Sequence, residues 1–206
     1  MGRKKFAVLG LIAAMVFTTP LSRLPLKRDR IVISALMALI IFFTSIWPFL
    51  APAFNRNELA HLQTQIDVNG ICRQKTGYTC GPAAAVTALN KLGLAGDEGQ
   101  LAMLSFTSLM TGTEPDVLAE VLRQQYGKDG LIAEYRPFTS ISELKQAGLT
   151  LAVVKFGFMV DHFVSVLEVT DSEVIIGDPL NGLDRMSCKE FEQKWRFVGI
   201  VLKRRP

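Results

Sequence analysis

A cysteine stands where a helix is expected to begin, at the end of the segment Gln74-Lys-Thr-Gly-Tyr-Thr-Cys80. The residues from Pro82 onward are mostly good helix formers, and Gly93 is a stop signal. The positive end of a helix dipole favours a thiolate over a thiol, and a thiolate is a nucleophile. Cys80 is therefore a candidate nucleophile. The alternative is a cysteine that only packs, since free cysteines are often buried.

Gln74 lies six residues before Cys80 and offers a second piece of chemistry. Its side-chain amide and the backbone N–H of Cys80 can both donate hydrogen bonds to the oxygen of a carbonyl group under attack, which is the work of an oxyanion hole. A nucleophile of this kind also needs a base, and the base needs a group that orients it.

His162 and Asp178 are the candidates for the base and the orienting group. His162 opens a predicted strand and Asp178 closes the strand that returns beside it, so antiparallel pairing brings both to one end of a sheet. Each has a simpler explanation, as a histidine at a strand edge and as part of an Asp-Pro turn. Asp161 is a weaker orienting group because strand alternation points it away from His162. His61 precedes the domain in a polar linker or short helix and is a poor candidate base.

The elements that must position these residues indicate an α+β fold, in which helices come first and a meander of strands follows. Capping patterns predict three helices after the Cys80 helix and a short one near the end of the chain, at residues 97–104, 113–126, 140–148 and 187–195. Apolar runs predict strands at residues 131–136, 149–156, 163–169, 173–176 and 197–202. We expect an antiparallel sheet that packs on the Cys80 helix.

The N-terminal segment carries the basic charge of the chain. Residues 1–54 hold seven basic residues against Asp29 alone, whereas residues 55–206 hold 16 basic and 18 acidic residues. The apolar run at residues 31–50 is long enough to span a bilayer, and the fourteen-residue run at residues 6–19 is a shorter second candidate. The sequence therefore predicts a membrane anchor at residues 1–54, a linker at 55–69 and a domain at 70–206. Because residues 55–206 carry no excess of basic residues, we expect no nucleic acid partner.

The orientation of the domain depends on how many runs span the bilayer. If only residues 31–50 span, all seven basic residues stay in the cytoplasm and the domain lies outside, which agrees with the positive-inside rule. Two spans would place the domain on the same side as the N-terminus. The three cysteines allow a Cys72–Cys188 disulfide that leaves Cys80 free, or three separate thiols.

These residues together resemble the bacteriocin-processing, double-glycine leader peptidases, which are papain-like cysteine peptidases. The resemblance rests on Gln74 six residues before Cys80, on Cys-Gly-Pro-Ala-Ala, on the strand that contains Asp-His162-Phe-Val, and on Gly-Asp178-Pro. It covers about residues 70–203. It implies that Cys80 is the nucleophile, His162 the general base and acid, Asp178 the orienting group and Gln74 the oxyanion donor.

The resemblance also implies a reaction and its partners. The reaction is hydrolysis of a peptide bond, after a Gly-Gly leader in the family, through a thioester intermediate. The family domain is usually fused to an exporter with transmembrane and ATP-binding parts, and this sequence shows no phosphate-binding loop. We therefore expect a stand-alone, membrane-anchored member without a cofactor. Its expected partners are a peptide or protein substrate, the lipid bilayer and a separately encoded exporter. The alternatives are a non-catalytic peptide-binding module of an export system and a thiol amidase that acts on a non-peptide amide.

Overall fold

The computed structural model describes residues 8, 10–16, 18, 25–157 and 160–205. Helix α1 (Lys27–Ile41) continues through a π-helical turn (Phe42–Ile46) into α2 (Trp47–Ala60). Residues Lys27–Ile46 have a mean hydropathy of 2.0 and are long and apolar enough, by length and composition alone, to cross a membrane. The ends of the predicted run at residues 6–19 lie outside the described residues.

The second helix reaches past the apolar segment and packs on the rest of the molecule. Near its end, Leu59 is buried in a cluster with Tyr78 and Ala102. A Cβ atom on Gly99 would lie 2.3 Å from the carbonyl oxygen of Leu59, so glycine is required for this close approach. The segment predicted as a polar linker or short helix thus begins as the last turns of α2.

Two short strands and five α-helices also belong to the described chain. The strands β1 (Gln65–Ile66) and β2 (Cys72–Arg73) pair antiparallel. The helices are α3 (Cys80–Lys91), α4 (Glu98–Leu104), α5 (Pro115–Tyr126), α6 (Ile141–Ala147) and α7 (Cys188–Lys194). The side chains of Asp97, Ser140 and Ser187 cap α4, α6 and α7, as the sequence patterns predict.

The predicted cap of α5 is wrong. The helix begins at Pro115 after Glu114, and no side chain caps it. Proline suits the first helical position because it has no N–H to satisfy. The Thr113 hydroxyl instead pairs with the hydroxyl of Thr107 at 2.7 Å, in the interior.

A six-stranded antiparallel sheet forms the second half of the domain, which confirms the predicted α+β class. Its order is β3-β8-β4-β5-β6-β7. The strands are β3 (Leu131–Pro137), β4 (Thr150–Gly157), β5 (Val160–Val169), β6 (Glu173–Asp178), β7 (Gly182–Ser187) and β8 (Trp195–Arg204). The edge strand β7 was not predicted, because most of its side chains are exposed and it lacks an apolar run.

The central helix α3 lies against the middle of the sheet and is buried along most of its length. The Ser165 hydroxyl on β5 donates a hydrogen bond to the carbonyl oxygen of Ala84 at 2.8 Å. One turn further along the helix, the Cys72 N–H donates to the hydroxyl of Thr87 at 2.9 Å. These contacts fix the helix that carries Cys80 relative to the strand that carries His162.

The approach of β6 to α3 depends on Gly177. A Cβ atom at this position would lie 2.7 Å from Ile71 Cδ1 and 3.1 Å from Thr87 Cγ2. Because Gly177 precedes Asp178 on β6, a side chain here would push the aspartate away from the helix. Gly177 therefore determines both how closely β6 packs on α3 and where Asp178 lies.

We predict that Gly177→Ala lowers the free energy of unfolding by about 1–3 kcal/mol, because overpacking costs that much in a filled interior. Denaturant unfolding of the full chain measures the loss. The matched control is Gly127→Ala, where an added Cβ meets nothing within 4 Å. Equal effects of the two substitutions would contradict the packing role of Gly177.

Candidate active site

Cys80 is the first residue of α3, as the sequence predicts. No side chain caps this helix, so the N–H groups of its first turn remain for other partners. The thiol is largely buried, with 9% of the residue exposed. A sulfur atom at this end of a twelve-residue helix lies at the positive end of the dipole.

His162 and Asp178 meet at one end of the sheet. The Nε2 atom of His162 lies 2.7 Å from Oδ1 of Asp178, and both side chains are buried. The pairing of β5 with β6 produces this contact, because Ser165 lies opposite Gly177. His162, near the start of β5, and Asp178, at the end of β6, therefore lie at the same end of the sheet. The antiparallel hairpin thus brings together the two residues that the sequence singles out.

The carboxylate of Asp178 has further donors around it. Its Oδ1 also accepts the N–H of Leu180 at 2.9 Å, and its Oδ2 accepts Nδ2 of Asn181 at 2.7 Å. Burial favours the neutral acid, but these hydrogen bonds, led by that of His162, outweigh burial and lower the pKa of Asp178 below its ordinary value. The aspartate is therefore ionised at neutral pH.

The imidazole of His162 contacts both the carboxylate and the thiol. Burial disfavours the charged ring, yet hydrogen bonds to Asp178 and to the Cys80 sulfur raise the pKa of His162 to about 9. Because Nε2 faces Asp178, the other ring nitrogen, Nδ1, is the one that serves the thiol. A thiol beside an imidazole that is hydrogen-bonded to a carboxylate is the arrangement of an activated nucleophile.

Gln74 lies in the loop before Cys80 and is half-buried. Its Nε2 donates to the carbonyl oxygen of Thr76 at 2.7 Å, and its buried Oε1 has no hydrogen-bond partner in the described structure. The second N–H of the amide is the one that can serve an oxyanion. The backbone N–H of Gln74 donates to the carbonyl oxygen of Pro179 at 3.1 Å, which ties the loop to the Asp178 turn.

Two acidic residues that the sequence does not single out support the loop from Gln74 to Cys80. Glu98 is fully buried, and its Oε1 accepts the backbone N–H of Lys75 at 3.0 Å. Burial raises the pKa of the Glu98 carboxyl. The Tyr78 hydroxyl donates to Oε2 of Glu58 on α2 at 2.8 Å. Neither acid belongs to a local motif, and both contacts arise only through tertiary packing.

The weaker candidates lie apart from this cluster. Asp161 pairs with Arg196 at 2.7 Å, and His61 is exposed with Nδ1 2.7 Å from the carbonyl oxygen of Asn57. Cys72 and Cys188 are free thiols, so the optional disulfide between them is not formed. Among the described residues, no group of three histidine, cysteine, aspartate or glutamate side chains is arranged to hold a metal ion.

An aromatic ring and a small cavity border the histidine. The Phe156 ring is tilted beside the His162 ring, with centroids 5.5 Å apart, and most of its surface is exposed. A cavity of about 240 Å³ lies next to His162 and Asp178 and is lined in part by Asn181 and Lys194.

The thiol lies on a helix, and the histidine and aspartate lie on strands of the sheet. This arrangement in an α+β fold is typical of the papain-like class. Comparison with known proteins narrows the class. The family model for the peptidase C39 family matches residues 69–206. An uncharacterized protein of Methanothermobacter marburgensis is 32% identical over 132 residues, which cover 64% of this chain and 85% of the relative. The chain therefore belongs to the peptidase C39 family.

Solved structures show the same fold. The peptidase domain of Streptococcus ComA, an ABC transporter involved in quorum sensing, has a TM-score of 0.56 and 23% identity over 65% of this chain and 96% of that domain. A double-glycine motif protease from an AMS/PCAT transporter, solved with a leader peptide, has a TM-score of 0.56 and 17% identity over 69% of this chain and 93% of the other. These likenesses concern the fold.

The charge on His162 predicts that the fold loses stability at alkaline pH. Because its folded-state pKa of about 9 lies above the ordinary value, the imidazolium contributes stability below pH about 6.5, and this contribution disappears as the pH rises through about 9. We expect Asp178→Asn to shift this transition to lower pH, since the amide no longer stabilises the cation. NMR titration in a His61→Gln background follows His162 alone. An unchanged transition in the Asp178→Asn variant would argue against the pairing.

The three thiols should differ in reactivity. Burial raises the pKa of Cys72 to about 12, so this thiol stays protonated at neutral pH. We expect iodoacetamide to modify Cys80 much faster than Cys72 or Cys188, and His162→Ala to remove that advantage. Mass spectrometry of the labelled peptides measures the three rates. Equal labelling of all three cysteines would refute an activated Cys80.

Proposed function

We propose that the protein is a membrane-anchored cysteine peptidase that hydrolyses a peptide bond through a thioester on Cys80. The observation that carries the proposal is the buried hydrogen bond between His162 and Asp178, in a site where the Cys80 thiol contributes to the raised pKa of His162. A non-catalytic binding module has no use for a buried charged pair beside a thiol, and burying such a pair is costly.

The chemistry proceeds in two halves. The Cys80 thiolate attacks the carbonyl carbon, and the oxygen becomes an oxyanion near the N–H groups of Cys80 and Gln74. The C–N bond then breaks as the His162 imidazolium protonates the leaving amine, which leaves a thioester. In the second half, His162 takes a proton from water, the hydroxide attacks the thioester, and the acid product leaves as the thiolate and imidazolium re-form.

Asp178 acts throughout as the fixed partner of the imidazole. Its hydrogen bond holds Nε2, so the ring presents Nδ1 to the thiol and to the leaving group. Donors from Leu180 and Asn181 keep the carboxylate ionised and in place. Asn181 follows Asp178 by three residues. Asparagine is common in turns after aspartate, and this pattern is the sequence signal that could have indicated the role of Asn181.

A peptide is the proposed substrate, and a Gly-Gly sequence is the first one to test. The structural relatives include a double-glycine motif protease in complex with a leader peptide. A thiol amidase would use the same four residues, and the choice between the two activities rests with the substrate. An exporter encoded separately is the partner that such a peptide would need.

The membrane anchor is proposed to be α1 with the π-helical turn that follows it, at residues Lys27–Ile46. A single span keeps the basic residues at its start in the cytoplasm and places the peptidase domain outside. A reporter enzyme fused after the C-terminus, active only on one side of the membrane, tests this orientation.

The proposed activity is tested with a peptide library that includes Gly-Gly sequences, incubated with the full chain in detergent. We expect cleavage that Cys80→Ala and His162→Ala abolish. Gln74→Ala should lower kcat by about 10²–10³ with a small change in KM, since an oxyanion donor acts only in the transition state. The exposed Glu120→Gln is the matched control and should keep full activity. Cleavage that survives Cys80→Ala would refute the mechanism.

A further inference from the structure

The connection between α4 and α5 presents apolar side chains on the surface. We define the apolar loop as residues 104–110. Leu109 is 73% exposed and Phe106 is 55% exposed, and Leu104 and Met110 are also exposed. The loop is closed at its base, where the hydroxyls of Thr107 and Thr113 pair at 2.7 Å. Several exposed apolar side chains on one closed loop mark an interaction surface.

The apolar loop shares a groove with α2, the helix that continues from the proposed membrane span. A cavity of about 560 Å³ separates the two elements. Its lining includes Phe49, Arg56 and Leu59 from α2, and Leu104, Phe106 and Thr107 from the other side. The loop therefore lies alongside the helix immediately after the point where the helix would leave the bilayer.

The helix geometry sets the depth of the loop. Phe49 follows Ile46, the last residue of the apolar segment, by three residues, which is about 4.5 Å along a helix axis. The polar region of a bilayer leaflet is about 5–8 Å thick. Phe49 and Phe106 line the same groove, so the groove that holds Phe106 begins at the depth of the lipid headgroups when the helix stands upright in the bilayer.

The domain is held against α2 in a fixed position. Leu59 is buried against Tyr78 and Ala102, and the Glu58–Tyr78 hydrogen bond lies one residue away. The helix therefore contacts the domain both beside the apolar loop and at its end. Arg56 lines the groove with an exposed side chain on the same helix.

We propose that the apolar loop rests in the interfacial region of the same bilayer that α1 crosses, and that the active site acts on peptides held at the membrane surface. The inference rests on the proposed anchor. Thr107 of the apolar loop pairs with Thr113, and Thr113 packs on Gly81: a Cβ atom on Gly81 would lie 2.9 Å from Thr113 Cβ. The apolar loop is therefore linked through Thr113 to the residue beside Cys80.

The depth of the loop is tested by fluorescence of Leu109→Trp in a Trp47→Phe background. The remaining Trp195 is buried and gives a constant signal. The full chain is reconstituted in phosphatidylcholine vesicles, with or without lipids brominated at acyl carbons 6 and 7. The matched control is Ile132→Trp, exposed on β3 beyond the far end of α5.

We expect bromolipid to quench the tryptophan at position 109 at least twofold more than the tryptophan at position 132. Equal quenching at the two positions in vesicle-bound protein would overturn the proposal. So would a shift in the emission of the tryptophan at position 109 that follows only the addition of peptide, since the loop would then bind substrate. Vesicle flotation reports the anchor separately, and a chain that does not float with vesicles refutes both the anchor and the loop contact.

The substrate class is tested with one cleavable sequence in two forms, a soluble peptide and the same peptide joined to a lipid. We expect Leu109→Asp to lower cleavage of the lipid-joined peptide on the order of tenfold, as expected from the loss of a buried leucine contact, and to leave cleavage of the soluble peptide unchanged. Equal losses on both forms would refute a membrane role for the loop. Absence of cleavage of both forms by the unmodified chain would refute the proposed peptidase function instead.

Discussion

The buried hydrogen bond between His162 and Asp178 places the strictest demand on the rest of the molecule. A carboxylate and an imidazolium can share an interior only if donors surround the acid and the partner charge lies close. The Asp-Pro turn meets the first requirement through Leu180 and Asn181. The closeness of the two charges requires that the start of β5 lie beside the end of β6. It also requires that β6 approach α3, which Gly177 permits.

The loop from Gln74 to Cys80 is held from three directions. The turn after Asp178 receives a backbone hydrogen bond from Gln74, Glu98 on α4 binds the backbone of Lys75, and Glu58 on α2 binds the hydroxyl of Tyr78. Each contact comes from a different element of the fold. Small displacements of a reacting group cost large factors in rate, so a loop fixed at several points suits catalysis.

Local signals in the sequence predict most of the frame. Helix formers after Cys80 and three of the four capping patterns give helix starts that the structure confirms, because caps are interactions between residues three apart. The pairing of His162 with Asp178 follows from the strand order of one hairpin. The sequence also predicts the α+β class, since strands follow helices along the chain.

Other parts depend on contacts that no local pattern records. Strand β7 has mostly exposed side chains and is held by pairing with β6. Thr113 fails as a cap because Pro115 removes an N–H and Thr107 supplies a buried partner. Glu98 looks like an ordinary first-turn acid, and only the folded chain shows that it is buried against the loop before Cys80.

The contact between Glu58 and Tyr78 changes where this domain should be considered to begin. The family model starts at residue 69, whereas the contacts of Glu58 and Leu59 lie before that point. A chain trimmed to the family boundary would uncover Tyr78 and Ala102 and leave the Tyr78 hydroxyl without its acceptor. The folded domain therefore includes the end of α2, and the apolar helix α1 continues into it through the π-helical turn rather than through a flexible linker.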